Sequence, residues 1–289
     1  MIARSHSNEW MSGFLQISPI FEPLHEVGKS FEQLDHWPEI EYLNRLTADS
    51  IGAIATKSGK QIRFVPQAKG ACEFLQQYEP RIYLTGEIQT RSCNWHDLFN
   101  ALVWLTYPRA KAALNQLHYH ALWQERERDQ KMRSPVRDAA TLIDESGVIV
   151  VSSSDYLLDL LKNFEWKALF WQQRASVIEQ MKFFLFGHGL YEKALCPYPG
   201  MTGKGMLFQV NANFFKQNVN NQIAMMDIWL DNFLSRNCLT SADLAPVPVL
   251  GYPGWSPDNT DSSYYDNQSY FRPRRMKKES RVSILLENL

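Results

Sequence analysis

Residues Asn94 to His120 read NWHDLFNALVWLTYPRAKAALNQLHYH, and they set two apolar helical stripes side by side. Trp95, Leu98, Phe99, Leu102 and Val103 recur at i, i+3, i+4, i+7 and i+8, the spacing of one helix face. His96 and Asn100, four apart, share the border of that face. After a break at Thr106-Tyr107-Pro108, a second stripe runs Ala110, Ala113, Leu114 and Leu117. Its border is held by Lys111, Asn115 and His118. Two polar ridges of this kind predict a pair of helices that present functional groups to one cleft.

Composition sets the frame around that hairpin. A chain of 289 residues with 45% hydrophobic and 21% charged side chains has ordinary globular usage and ample length for a buried core. Nine Trp and an aromatic content of 13% predict an aromatic core with some rings at a groove. A net charge of -1 gives no overall field to attract nucleic acid or an anionic membrane. Nucleic acid is therefore not an expected partner. Cys72, Cys93, Cys196 and Cys238 are scattered without a CxxC pair, so neither a zinc finger nor a disulfide scaffold is expected. The N-terminus lacks the basic and apolar segments of an export signal. No apolar run approaches the roughly 20 residues that span a bilayer. The expected location is the cytoplasm.

Along the chain, residues 1–38 mix Pro, Gly, Ser and single aromatics and read as an irregular arm. Pro38 opens a helix whose stripe is Ile40, Leu43 and Leu46. Gln61 to Val65 and Arg81 to Leu84 read as strands, the latter turning at Gly86. Ser134-Pro135 is an N-cap followed by a first-turn proline, with Val136, Ala139, Ala140 and Ile143 on the buried face. Val148 to Val151 is a β-branched buried strand bounded by Gly147. Ser154-Asp155 opens the next helix, and Trp166 to Phe186 reads as a further helical region. Met206 to Val210 reads as a strand after a glycine-rich loop, and Gln217 to Leu234 as a long helix. The prolines from Pro246 onward favour an extended segment. The expected fold is α+β, predominantly helical with a small sheet and a Pro-rich extended C-terminal segment. Residues 39–245 form its main domain, and 246–289 form a strap with a basic tail packed on that domain.

Several residue sets can carry chemistry. His96-Asp97 resembles the His-Asp pairs of metal-dependent phosphohydrolases, but adjacent helical positions diverge by about 100 degrees. One ion would need help from elsewhere, and His118, Asp144, Glu145, His188 and Glu192 are residue types that bind divalent metals. His188 and Glu192, four apart in GHGLYEKAL, share a helix face, so His96, His188 and Glu192 are the expected metal set. A divalent ion is the cofactor they suit. His96, Asp97 and His118 are the candidate catalytic residues, with His96 as general base or metal ligand and Asp97 as its orienting carboxylate. The competing reading makes all of these polar residues that fix helix packing.

An anion site is the second candidate. Pro199 to Gly205 supplies three glycines, Thr202 and Lys204, and bare amides in such a loop can surround a phosphate or carboxylate. With Lys111, these are the expected anion-binding residues. The loop is not a P-loop, since Gly205 stands where Ser or Thr should follow the lysine. Arg81, Arg91, Arg109 and Arg137 can add charge to an anion site. No GxSxG elbow is present, and the cysteines lack a histidine partner pattern. The basic tail RPRRMKK reads as a solvated terminus.

WHDLFNALVWLTYPRAKAALN, RDAATLIDESGVIVVSS and LYEKALCPYPGMTGKG together resemble the bacterial family catalogued as domain of unknown function 3025. VPVLGYPGWSPDN and the later YFRPRR are similar to that family's C-terminal end, so the likeness extends from about Tyr78 onward. The family has no established activity, and the resemblance supplies no catalytic residues. Two functions therefore compete. One is a hydrolase or transferase acting on a small anionic or phosphorylated substrate. The other is a non-enzymatic binding or scaffold protein with an aromatic-rich surface. His96, His118, His188 and Lys204 gathered in one pocket would favour the enzyme, and their dispersal would favour the scaffold.

Overall fold

The computed structural model describes residues 8–49, 52–68, 73–129, 132–235 and 239–274, with the backbone of 284–286. Residues 8–38 hold no long helix, only 3-10 turns and α1 (His25–Gly28). They nonetheless bury Phe14, Phe21, Leu24 and Phe31 completely. Phe21 stacks on Phe99 and Tyr191 at centroid distances of 5.7 and 5.9 Å, so the arm packs into the same core as the helices. The helix α2 (Ile40–Asp49) follows, then β1 (Arg63–Pro66), α3 (Tyr78–Thr85) and β2 (Glu87–Thr90). β1 and β2 pair in parallel as a two-stranded sheet.

Arg81 to Leu84, expected as a strand, is the second half of α3. Its apolar run is too short for periodicity to separate helix from strand, and packing of α3 on α5 decides it. Gly86 then ends the helix with φ +77°, and a Cβ there would lie 2.0 Å from the Gln61 carbonyl oxygen. Only glycine fits that turn.

The predicted hairpin is α4 (Trp95–Thr106) followed by α5 (Pro108–Glu127). Asn94 caps α4 by accepting from the Asp97 amide at 3.0 Å, and Pro108 occupies the first turn of α5. Every residue of α4 from Leu98 to Thr106 is buried, so this helix is enclosed on all sides. α6 (Pro135–Ser146) begins at the Ser134 cap, a contact typically contributing about 1 kcal/mol, and runs directly into β3 (Gly147–Ser152). After α7 (Asp155–Lys162) and a π-helical turn over Ala168–Gln172 comes α8 (Arg174–Gln180).

The helical region expected through Phe186 stops at Gln180, and β4 (Met181–Leu185) takes its place. Its Phe-rich run pairs antiparallel with β3, where aromatic side chains suit a pleated surface. Next come α9 (His188–Ala194), β5 (Thr202–Gln209), α10 (Val219–Leu234), β6 (Ala245–Pro248) and β7 (Ile284–Leu286). The larger sheet has five strands in the order β4-β3-β5-β6, with β7 also on β5. β3, parallel to β5, is buried along its whole length, which accounts for its unbroken apolar run.

The fold is α+β and predominantly helical, with proline-rich residues 246–274 running as β6 and a series of 3-10 turns. Tyr270 ties this strap down, its hydroxyl donating to the Met201 carbonyl at 2.7 Å. Of the basic tail RPRRMKK, Arg272 to Arg274 are described, the Arg272 carbonyl accepting from Trp166 Nε1 at 2.8 Å, while its residues from 275 onward lie outside the described residues, as do Cys72 and Cys238. Cys93 and Cys196 are free and exposed. No described helix is long and apolar enough to cross a membrane.

Candidate active site

Two helix starts and one helix end meet at the mouth of a cleft. His96 lies in the first turn of α4, His188 is the first residue of α9, and Glu145 is the penultimate residue of α6. Their ligating atoms converge. His96 Nε2 is 2.9 Å from His188 Nε2, and Glu145 Oε1 lies 3.8 and 3.7 Å from those two nitrogens. Gly189 makes room for this carboxylate, because a Cβ there would stand 2.5 Å from Glu145 Oε2.

The far side of each imidazole faces another carboxylate. Glu192 Oε2 is 2.9 Å from His96 Nδ1, and Asp144 Oδ1 is 3.6 Å from His188 Nδ1. Glu192 accepts the His96 ring proton at Nδ1, and the Asp144 charge, though beyond hydrogen-bond reach of His188 Nδ1, favours the same tautomer there, which turns the two Nε2 lone pairs toward each other. Two opposed lone pairs at 2.9 Å repel, and a cation between them removes the repulsion. A proton does this in part. The hydrogen bond that His96 donates to Glu192 holds its ring above the ordinary imidazole range, against the effect of burial, and Glu145 adds to the upward shift.

A second layer of polar groups supports the first. Lys111, on α5 and almost fully buried, forms an ion pair with Asp144 and donates to Asn100 Oδ1 at 2.9 Å. Burial alone would raise the Asp144 carboxyl, but the Lys111 charge and His188 outweigh it and hold this group well below the usual carboxylate range. Asn100 passes the contact on, its Nδ2 donating to the Tyr78 hydroxyl at 2.7 Å. Asn115 donates to the carboxylate and the carbonyl of Glu79 at 2.7 and 3.0 Å. Glu79, His118 and Asp144 also lie close enough that their ligand atoms fall within 4.8 Å of one another.

Of these residues, Tyr78, Glu79, His96, Asn100, His118, Asp144, Glu145 and His188 line a cleft of about 630 Å³, with Arg81, Arg91 and Gln89 on its wall. That volume suits a small molecule. His96, His118 and His188 therefore share one cleft, and both polar ridges of the hairpin reach it. Asp97 lies on the same wall but binds Arg91 through both carboxylate oxygens, at 2.8 and 3.0 Å. Glu192, not Asp97, is the carboxylate on the His96 ring, and it sits on the side away from Nε2. Glu145 takes the place beside the two Nε2 atoms that the sequence spacing suggested for Glu192.

Thr202 and Lys204 lie elsewhere. They are the first and third residues of β5, where a glycine-rich loop was expected, and neither lines the cleft. Gly203 faces Leu190 of α9, so its neighbours project to the opposite face of the sheet. Asp144, Glu145, Tyr78 and Glu79 complete the site. The first two were visible only as metal-binding residue types near the end of a helix, and Tyr78 and Glu79 carried no sequence signal. No curated protein and no solved structure matches the chain. The family described as protein of unknown function (DUF3025) matches it over residues 62–275, a span holding all of these cleft residues, and the chain belongs to that family.

Proposed function

We propose that the protein is a metal-dependent hydrolase, with a divalent cation held by His96 Nε2, His188 Nε2 and Glu145 Oε1. The observation that carries this reading is the pair of Nε2 atoms 2.9 Å apart with a carboxylate oxygen beside both. Two nitrogens bound to one zinc ion at the tetrahedral angle stand about 3.3 Å apart, and two His with one Glu is a donor set of catalytic zinc. Structural zinc sites use four protein ligands. Three ligands at the edge of a cleft leave a position for water or substrate.

A cation there would polarise a carbonyl or phosphoryl oxygen and generate a hydroxide-like nucleophile near neutral pH. The hydrogen bond to Glu192 holds the His96 ring in the tautomer that ligation needs, and the nearby Asp144 charge favours the same tautomer of His188. His118 is buried to 5% exposure, lines the same cleft and has no hydrogen bond among the described residues, so its ring is available to move a proton. Arg81 and Arg91 give the wall positive charge for a small anionic or phosphorylated substrate, although each is also paired with a carboxylate. The expected reactions are hydrolysis of an ester, an amide or a phosphoester.

Elemental analysis of protein purified without chelator tests the reading. About one equivalent of zinc, manganese or cobalt should be present or be taken up, and His96→Ala and His188→Ala should each lose it. A protein that holds no metal, and whose melting temperature responds to none of these ions, would overturn the proposal.

A further inference from the structure

The buried chain running from Asp144 through Lys111 and Asn100 to Tyr78 has a direction. Lys111 is an ammonium and can only donate, so the Asn100 atom it meets at 2.9 Å is the carbonyl oxygen. The other end of the same amide is then NH2, which donates to the Tyr78 oxygen at 2.7 Å. With its oxygen accepting, Tyr78 has its own hydroxyl proton left to give, and among the described residues nothing receives it. Asn100 is 7% exposed and Lys111 is 4% exposed, so neither can turn to water to reverse the order. Tyr78 as a residue is 37% exposed and lines the cleft, so the chain from Lys111 ends at the cleft wall.

We propose that Tyr78 is a catalytic hydrogen-bond donor that gives its hydroxyl proton to an oxyanion in the cleft, either a substrate phosphate or carboxylate or the oxyanion that forms during hydrolysis. The assignment rests on the reading of this cleft as an active site. A donor fixed before the substrate arrives needs no reorganisation when negative charge develops, and such donors contribute strongly to transition-state stabilisation. The ammonium at the head of the chain polarises the amide, which in turn makes the phenol a better donor. Burial, together with the carboxylates of Glu79, Asp144 and Asp97, pushes the phenol well above its ordinary value, so it stays protonated and able to donate.

The test uses the full chain, with inorganic phosphate as the oxyanion probe and cobalt as the cation. Phosphate affinity is measured by calorimetry with and without cobalt, whose own absorption bands report its uptake. Tyr78→Phe keeps the ring and removes only the donor, and it should weaken phosphate binding about tenfold while cobalt uptake is unchanged. Asn100→Asp tests the direction, because a carboxylate at that position accepts from both Lys111 and Tyr78 and takes the proton meant for the ligand. It should weaken phosphate binding as Tyr78→Phe does, and the double variant should be little weaker than either single variant. Fully additive losses would mean that the aspartate acts only by repelling phosphate, and would overturn the proposed chain. Wild-type affinity in Tyr78→Phe, or no phosphate binding by the wild-type protein, would overturn the donor assignment. If cobalt is not taken up, the metal-hydrolase reading falls, and the phosphate comparison on metal-free protein still decides the role of Tyr78.

Discussion

Buried polar groups gather in two regions of this molecule, the cleft between α3, α4, α6 and α9 and the strap of residues 249–271. In the strap, side chains bond mainly to backbone, with Arg174 the side chain that also reaches Asn259 and Tyr265. Asn259 donates to the carbonyls of Leu250 and Tyr252 at 3.0 and 2.7 Å. Tyr265 donates to the Gly251 carbonyl at 3.0 Å, and Tyr270 joins the Leu250 amide to the Met201 carbonyl. In the cleft, side chains meet side chains, and some bonding capacity is left over. Two imidazole nitrogens oppose each other, and among the described residues His188 Nδ1 and Asn115 Oδ1 are buried without a hydrogen bond and the Tyr78 proton has no acceptor. A network that serves only the fold closes on the backbone, where every valence is matched. One that leaves lone pairs and protons aimed at a shared space is prepared for a ligand.

The comparison breaks most directly at Lys111. Lys111→Met leaves the Asp144 carboxylate buried without its charge partner, and a loss of about 3–5 kcal/mol is expected in chemical denaturation. A loss near zero would mean that Asp144 takes up a proton or water instead, and that the cleft network is not held by charge.

Asn259→Ala should cost the strap about 2–4 kcal/mol, because two backbone carbonyls lose their donor at once. Its effect should appear in stability alone, with metal uptake unchanged. Glu192→Gln should do the reverse. Glu192 is partly exposed, so stability should hardly move, while cation affinity falls by about 10- to 100-fold through loss of charge behind His96. If both variants affected stability and uptake alike, the two networks would not be separable.

The smallest effect concerns another buried carboxylate. Asp227 of α10 accepts from the amides of Arg109 and Ala110 at 3.1 and 2.8 Å at the start of α5. Burial outweighs those amides and raises its pKa to about 6. An unfolded aspartate titrates near 3.9, so between about pH 6 and pH 4 the native state holds a proton that the unfolded chain lacks. Wild-type stability should therefore gain on Asp227→Asn as pH falls through that window, by about 2–3 kcal/mol. Melting curves of the two proteins from pH 7 to pH 4 check the sign.

Much of the fold was legible before the structure, and the reason is local. Ser134-Pro135 marked the start of α6 because a cap and a first-turn proline act within one turn. Val148 to Val151 announced a strand covered on both faces by its unbroken β-branched run. Arg81 to Leu84 and Met181 to Leu185 were misread because short apolar runs take their form from what they pack against. For the former that is α5, and for the latter it is pairing with β3.

The candidate site divides along the same line. The sequence by itself determined that His96 and Asn100 share one helix edge, that Lys111, Asn115 and His118 share another, and that His188 and Glu192 lie one turn apart. Helical periodicity fixes those relations from spacing alone. Only the tertiary structure decided that Glu145 stands beside the two Nε2 atoms while Glu192 lies behind one ring, that Tyr78 ends the chain from Lys111, and that Lys204 lies off the cleft on β5. Those are distances between elements brought together by burial of a common core, and no local spacing encodes them.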